Sequence, residues 1–454
     1  MTPPARDTDS GAVSASTWAE AAVGKLQQLI RIDTTNPPGG ETAAAEFVAE
    51  LLTSHGVDST LLGRDPRRKN LVARLRGDGS APPLMLCAHT DVVPVERERW
   101  TRDPFGGEIA QGYLWGRGAI DMKHMAVMSA LAMARLRAEK VPLKRDLIFA
   151  AVADEEAGCD FGSRFLVDEH PDLVRAEYCI GEAGGFTVRL DGAVIYPVGT
   201  AERGVAWLKL RMQGPPGHGS LPRTDNVLGR LGRALERLVA TRLPHHRTPV
   251  VEKYLHALAR TQSFPRSFLL RNLYRRGIAD LVLGSLPDPG MRGAMQAMLA
   301  NSAVPTVLRA GQKINVIPSR AEVELDGRTL PSQTTAGLIA EIKKVIEDEC
   351  EIEILREMPP VVNDPDTPLM ALILKSLAAA HPGATPVPYL MPGFTDAKSW
   401  SRLGTKCYGF MPVRFPDDGV RFGDLFHGHD ERIPVEGLKW GTDLLYEVVR
   451  AFVT

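Results

Sequence analysis

Apolar positions along the chain fall into two textures. From residue 17 to about 198, and again from 358, short continuous apolar runs alternate with stretches of helical spacing. The runs Leu71–Leu75, Leu84–Ala88, Leu147–Ala153 and Tyr178–Ile180 are bounded by polar residues, which marks strands covered on both faces. Thr17–Arg31 carries Ala21, Leu26, Leu29 and Ile30 at helical spacing, and residues 41–54, 122–138, 368–380 and 435–453 also read as helices. This alternation predicts an α/β fold, a sheet flanked by helices. From Thr200 the pattern changes. Gly204–Met212 partly alternates, as a half-exposed strand should, and Asn226–Thr241 sets Leu228, Leu231, Leu235, Leu238 and Val239 on one helical face. Residues 244–303 are Arg-rich and Leu-rich and read as helical. Strands at 304–310, 321–325 and 351–355 surround a helix at 336–347. The prediction is a smaller α+β domain inserted at 199–357, which divides the first domain into 17–198 and 358–454. Residues 1–16, rich in Pro, Asp, Ser and Ala, read as a disordered tail.

The residues that end the buried runs bring chemistry into the picture. Leu84–Ala88 stops at His89-Thr90-Asp91, Leu147–Ala153 at Asp154-Glu155-Glu156, and Tyr178–Ile180 at Gly181-Glu182. Gly116 and Gly118 allow a sharp bend that delivers Asp121. Sites in α/β sheets form at the carboxyl ends of strands, so these residues can converge although they lie far apart in the chain. Several carboxylates gathered at one point demand a cation. Histidine and carboxylate donors suit zinc, with cobalt or manganese as substitutes. Taken singly, each motif has a plain alternative: a hydrogen-bonded core histidine for His89, a solvated loop for Asp154-Glu155-Glu156.

Composition narrows the field. The chain has 454 residues, too many for one ordinary core, and a net charge of −1 with basic residues spread along it, which argues against a nucleic-acid partner. No stretch of about 18 apolar residues suggests a membrane span. The start lacks the basic and apolar segments of a secretory signal. Five scattered cysteines without a CxxC pair suggest reduced thiols, and with the rest a cytoplasmic protein.

The motifs occur in the order of a known family. His89-Thr90-Asp91, Gly118-Ala119-Ile120-Asp121-Met122-Lys123, Asp154-Glu155-Glu156, Glu182, Gly217-His218-Gly219-Ser220 and His427-Gly428-His429-Asp430-Glu431 are spaced roughly as in that family. The sequence resembles the co-catalytic zinc metallopeptidases that include aminoacylase, acetylornithine deacetylase, succinyl-diaminopimelate desuccinylase, carnosinase and glutamate carboxypeptidase. The likeness covers about residues 20–450.

That resemblance implies roles. Asp121 would bridge two zinc ions, with His89 and Glu182 completing one site and Glu156 and His427 the other. Asp91 would orient His89, Glu155 would be the general base, and the Asp121–Met122 peptide would be cis. His218, on the inserted lid and dimerisation domain, would reach the active site of the partner subunit in a homodimer and stabilise an oxyanion there. Arg328 would bind a substrate carboxylate, Asn315 would lie near the oxyanion, and Gly393, Thr395 and Asp396 would line the pocket. The plain alternatives are a surface ion pair for Arg328 and a turn for Asn315. His429 is passed over as a ligand because the family places its ligand four residues before the glutamate, at His427. His124 would lie no nearer than behind the ligands. His245-His246, with no acidic neighbour in sequence, is expected to face solvent.

The implied activity is hydrolysis of an amide or peptide bond beside a free carboxylate, on an N-acyl amino acid or a short peptide. Glu182, rather than Asp, leans toward deacylation. The competing reading is a peptidase-like binding or scaffold protein without catalysis, which would lack a ligand or the base; every expected position is filled. A dinucleotide enzyme would need GxGxxG after a first strand, and none is present.

Overall fold

The computed structural model describes residues 15–285 and 289–454, so nearly all of the tail expected over 1–16 lies outside the described residues; Ala15 already opens the first helix. The described chain divides into two compact units. The first holds residues up to Val188, Asp366–Ala384 and Arg402–Thr454; the second holds Arg189–Pro365 and Thr385–Ser401.

In the first unit a mixed sheet runs in the order Ser59–Leu62, Asn70–Leu75, Leu147–Val152, Leu84–His89, Tyr178–Gly181, Lys406–Gly409. The last four strands are parallel; Asn70–Leu75 runs antiparallel to its neighbour Leu147–Val152. Every residue of Leu84–His89 and Leu147–Val152 is buried, as continuous apolar runs require of central parallel strands. Helix Lys123–Ala138 packs on Leu84–His89 and against the helices Ala15–Ile30, Thr42–Thr53 and Val435–Val453. It is buried almost all round, which its Ala and Met content permits, since small and flexible side chains fill gaps on every side. Because the central strands point the same way, their carboxyl ends share one edge, and His89, Asp154 to Glu156 and Glu182 sit there.

The second unit is built on a four-stranded antiparallel sheet, ordered Ser302–Ala310, Arg320–Thr329, Gly204–Gln213, Glu351–Met358. Helices Val227–Ala240 and Thr335–Ile346 cover it, burying Leu208, Leu210, Leu231, Leu238, Val323, Leu325 and Ile342 in one core. The buried face of the first of these helices is Val227, Leu231, Ala234 and Leu238. Leu228 and Val239, expected on that face, are exposed: the stripe follows i, i+4, i+7 and i+11 from Val227, one residue earlier than the leucines alone suggest. Pro249–Arg260, Arg266–Arg271, Arg276–Ser285 and Pro289–Leu299 are helices, as the composition of residues 244–303 suggests.

The units also divide the chain elsewhere than at 199 and 357. Ala193–Glu202 is a strand that pairs in parallel with Thr385–Met391 and antiparallel with Val361–Val362, so the second unit begins earlier, ends later and takes back residues 385–401. Pairing across some 190 residues leaves no periodic signal in either strand. Among the described residues no helix is long and apolar enough to cross a membrane, and none of the five cysteines is in a disulfide.

Candidate functional site

In the first unit the predicted ligands come to one place. His89 lies at a strand end, fully buried, and its Nε2 is 3.1 Å from Asp121 Oδ1 and 3.6 Å from Glu182 Oε2. His427 Nε2 is 3.0 Å from Asp121 Oδ2 and 3.2 Å from Glu156 Oε2. Asp121 therefore turns one oxygen to each histidine, and two three-residue sets share it. Glu155 brings a carboxylate oxygen into a group with His89 and Glu182, all within 4.8 Å of one another.

Three of these separations are also of hydrogen-bond length, and all four suit metal ligation. Ligands held about 2.0–2.1 Å from a tetrahedral ion stand about 3.3 Å apart, close to the four distances above. Glu156 Oε1 and Asp121 Oδ2 are buried without a hydrogen-bond partner among the described residues, although Asp121 Oδ2 is near His427 in distance. Nitrogen and carboxylate donors in this arrangement could hold two divalent ions, with zinc the best chemical match.

The electrostatics point the same way. Burial, with the charge of Asp121 behind it, pushes the Glu156 carboxyl up to about 7. Burial would depress the His427 imidazole, yet its contacts with Asp121 and Glu156 outweigh that and push it up to about 10. His89 is likewise raised despite burial, by Asp121, Asp91 and Glu182. Protons on the histidines thus partly offset a surplus of carboxylates, a task a dication does better.

Local structure explains how each side chain is placed. Glu431 is fully buried and gathers the loop that carries Asp121: Oε1 accepts the backbone N–H groups of Ile120 (2.8 Å) and Asp121 (3.2 Å), and Oε2 accepts Gly118 N–H (3.1 Å) and Arg117 Nη1 (2.7 Å). The Asp121–Met122 peptide that follows is cis, as the resemblance implies. Asp154 (φ +66°) and His427 (φ +57°) adopt left-handed backbone, which Asp and His tolerate better than most residues. His427 is the half-exposed member, its side chain 46% accessible, and Phe426 stacks on its ring at 4.6 Å between centroids.

Asp91 meets His89, but through its main chain. His89 Nδ1 is 3.0 Å from the Asp91 carbonyl oxygen and 3.5 Å from the carboxylate. The carboxylate is turned to the Glu155–Glu156 loop instead: Oδ1 accepts Glu155 N–H and Oδ2 accepts Glu156 N–H, both at 3.1 Å. A two-residue spacing lets the intervening chain curl its carbonyl under the ring, which leaves the side chain available for this second task.

The remaining expected site residues lie in the second unit. Gly217–His218 pairs with Val316–Ile317, and Gly219 N–H donates to the Asn315 carbonyl at 2.9 Å, so His218 and Asn315 are brought together there. Both are exposed; His218 Nδ1 is 2.8 Å from Ser220 Oγ. Arg328 is half-buried, pairs with Asp326 (Nε to Oδ1, 2.8 Å) and stacks over Phe394 at 5.4 Å. Gly393 lies one residue before Phe394, its N–H on Met391 Sδ at 3.4 Å. Thr395 Oγ1 donates to buried Glu202, which also pairs with Lys398.

Sequence reasoning missed several members. His246 is no solvent-facing histidine: it is half-buried, with Nε2 2.6 Å from Glu341 Oε1, and its acidic partner lies 95 residues away. Arg117, Glu431 and Asn36 organise the first unit's loops; Glu431 stands inside a recognised motif, while Asn36 opens Asn36-Pro37-Pro38-Gly39-Gly40, which by sequence reads only as a chain break. His124 is buried with both ring nitrogens lacking a hydrogen-bond partner among the described residues, and burial pushes its imidazole down to about 3.

With this geometry in place, the comparisons are specific. The family model described as Peptidase family M20/M25/M40 matches residues 85–451. The chain is 28% identical over 376 residues to the N-fatty-acyl-amino acid synthase/hydrolase PM20D1 of Xenopus tropicalis, covering 80% of this chain and 71% of that protein. It is 25% identical over 444 residues to the aminoacylase-1 of Sus scrofa, covering 94% of each. Among solved structures, the M20 family metallo-carboxypeptidase Sso-CP2 of Sulfolobus solfataricus superposes with a TM-score of 0.71 at 17% identity, over 94% of this chain and 98% of that one.

Proposed function

Because the chain belongs to the peptidase M20/M25/M40 family and is a hydrolase of its metallopeptidase and aminoacylase type, we propose that it hydrolyses the amide bond of N-acyl amino acids. The carrying observation is the pair of ligand sets that share Asp121, with Glu155 beside one of them. Two of the relatives above are named for N-acyl amino acid chemistry, which favours deacylation over dipeptide cleavage.

His89, Asp121 and Glu182 would hold one metal ion, and His427, Asp121 and Glu156 the other. Two zinc ions there would supply water made acidic to about pKa 7 and would polarise the amide carbonyl. Glu155 takes the proton of the attacking water and returns it to the departing amine nitrogen. Asp91 fixes the loop from which Glu155 and Glu156 project, so one carboxylate binds while its neighbour moves a proton. For the second unit the proposal rests on the resemblance and on local chemistry: His218 as an oxyanion donor, Arg328 as partner of the substrate carboxylate, with Asn315 and Gly393 near the substrate, in a homodimer and in the cytoplasm.

The test is metal analysis of the purified protein, followed by a panel of N-acyl amino acids and dipeptides with and without chelator. The expected result is about two zinc ions per chain and chelator-sensitive release of the free amino acid. Glu155→Gln should keep the metal and abolish turnover. A metal-free protein that is fully active would sink the reading, and preference for dipeptides would move it to peptidase.

A further inference from the structure

We propose that Asn36 is a positioning residue for the proposed base, acting through Asp91; the inference rests on the amide-hydrolase reading above. Asn36 is buried, 4% exposed, and its backbone N–H is tied to the Val92 carbonyl at 2.9 Å. Its Nδ2 donates to two carboxylates at once, Asp91 Oδ2 at 2.9 Å and Asp154 Oδ1 at 3.1 Å. Those two acids frame the loop that matters. Asp91 accepts the N–H groups of Glu155 and Glu156, and Asp154 Oδ2 accepts the N–H of Phe161 at 3.0 Å. Behind them Arg68 balances charge, pairing with Asp154 Oδ1 at 2.9 Å and with buried Glu41, Nε to Oε2, at 3.0 Å.

The chemistry explains why a carboxamide stands at residue 36. Two carboxylates near each other need donors between them, and each hydrogen of one NH2 group can serve one acid. Asn36 does this without adding charge, while Arg68 already supplies the cation. An aspartate of the same shape would have no hydrogen to give and would set a third carboxylate against two others. The chain of contacts Asn36, Asp91, then the main chain of Glu155 and Glu156 passes from a residue near the chain start to the proposed base. Loss of the amide should free Asp91 and loosen the loop, misplacing Glu155 without removing any proposed ligand.

The experiment compares Asn36→Ala and Asn36→Asp with the unaltered chain. It measures kcat and KM on the best substrate of the panel, metal content, and amide hydrogen exchange of a peptide spanning residues 154–158. Asn36→Ala should lower kcat about 10- to 100-fold, in the range for partners that orient site groups, with KM and metal content within about twofold and faster exchange at Glu155 and Glu156. Asn36→Asp, although closer in shape, should be the worse of the two. A packing role predicts the reverse order, so an Asp variant milder than the Ala variant overturns the proposal. So does unchanged exchange in Asn36→Ala, a readout that stands even where no substrate of the panel is turned over and the amide-hydrolase reading itself has failed.

Discussion

Glu431 and Glu156 are both glutamates sunk into the first unit, yet their surroundings are opposites. Glu431 has two donors on each oxygen, three backbone N–H groups and the Arg117 guanidinium, and so is a finished piece of structure. Glu156 has an oxygen with no hydrogen-bond partner among the described residues, and its other oxygen lies 3.2 Å from His427 Nε2. One acid is balanced by the protein and the other is left for something the protein does not supply. A buried carboxylate is therefore informative by what it lacks. Balanced, it reads as architecture; unbalanced and beside another acid, it reads as a place for a cation.

Substitution should split the pair most strongly. Glu431→Ala strands Arg117 in the interior, and breaking a buried pair in this way costs about 3–5 kcal/mol; a denaturant midpoint well below that of the parent chain is the expected outcome, with or without metal. Glu156→Gln should behave the opposite way: metal-free stability equal to or above the parent, because a repulsion with Asp121 is removed, but zinc affinity down by at least about tenfold. Equal loss of metal-free stability in both variants would erase the distinction between them.

A second, smaller effect is pH dependence of metal binding. In the metal-free chain Glu156 sits at about 7 and His427 at about 10. At pH 6 both carry protons that a metal must displace, and at pH 8 only His427 of the two does; the raised His89 adds its own proton to those displaced. Affinity should therefore rise with pH, roughly tenfold per unit for each proton displaced, and should flatten by one proton's worth in Glu156→Gln. Titration calorimetry in buffers of differing ionisation heat reads the protons directly.

A separate pH effect belongs to Lys123, whose buried Nζ donates to the Leu29 and Ile32 carbonyls at 3.3 and 2.7 Å. Burial pushes it down to about 7 from an ordinary 10.5. Between those values the unfolded chain holds a proton that the folded chain has lost, so stability rises with pH across that window, and the penalty of a buried charge is felt below it. In Lys123→Met that slope should vanish. A slope unchanged by the substitution would assign it to other groups.

The parts legible in the sequence share one physical basis, a short-range signal. Continuous apolar runs gave the central strands, and the acids and histidine at their ends gave the ligands. Helix Val435–Val453 was legible to the residue because its apolar stripe is long and uninterrupted. The parts that stayed hidden depend on distant partners. The strand Ala193–Glu202 is defined by pairing with Thr385–Met391, and His246 found Glu341 only in three dimensions. Asn36 reads in sequence only as the start of a chain break because the two carboxylates that give it meaning lie 55 and 118 positions further on.

The second unit's return through residues 385–401 has a consequence for synthesis. A ribosome releases Arg189–Pro365 before the strand that completes it exists, and the first unit in turn waits for Arg402–Thr454. Neither half can be finished by vectorial, one-at-a-time folding, so the nascent polypeptide carries two incomplete cores until residues 385–401 emerge, and one until residues 402–454 follow. A truncation ahead of residue 385 should therefore damage both units together.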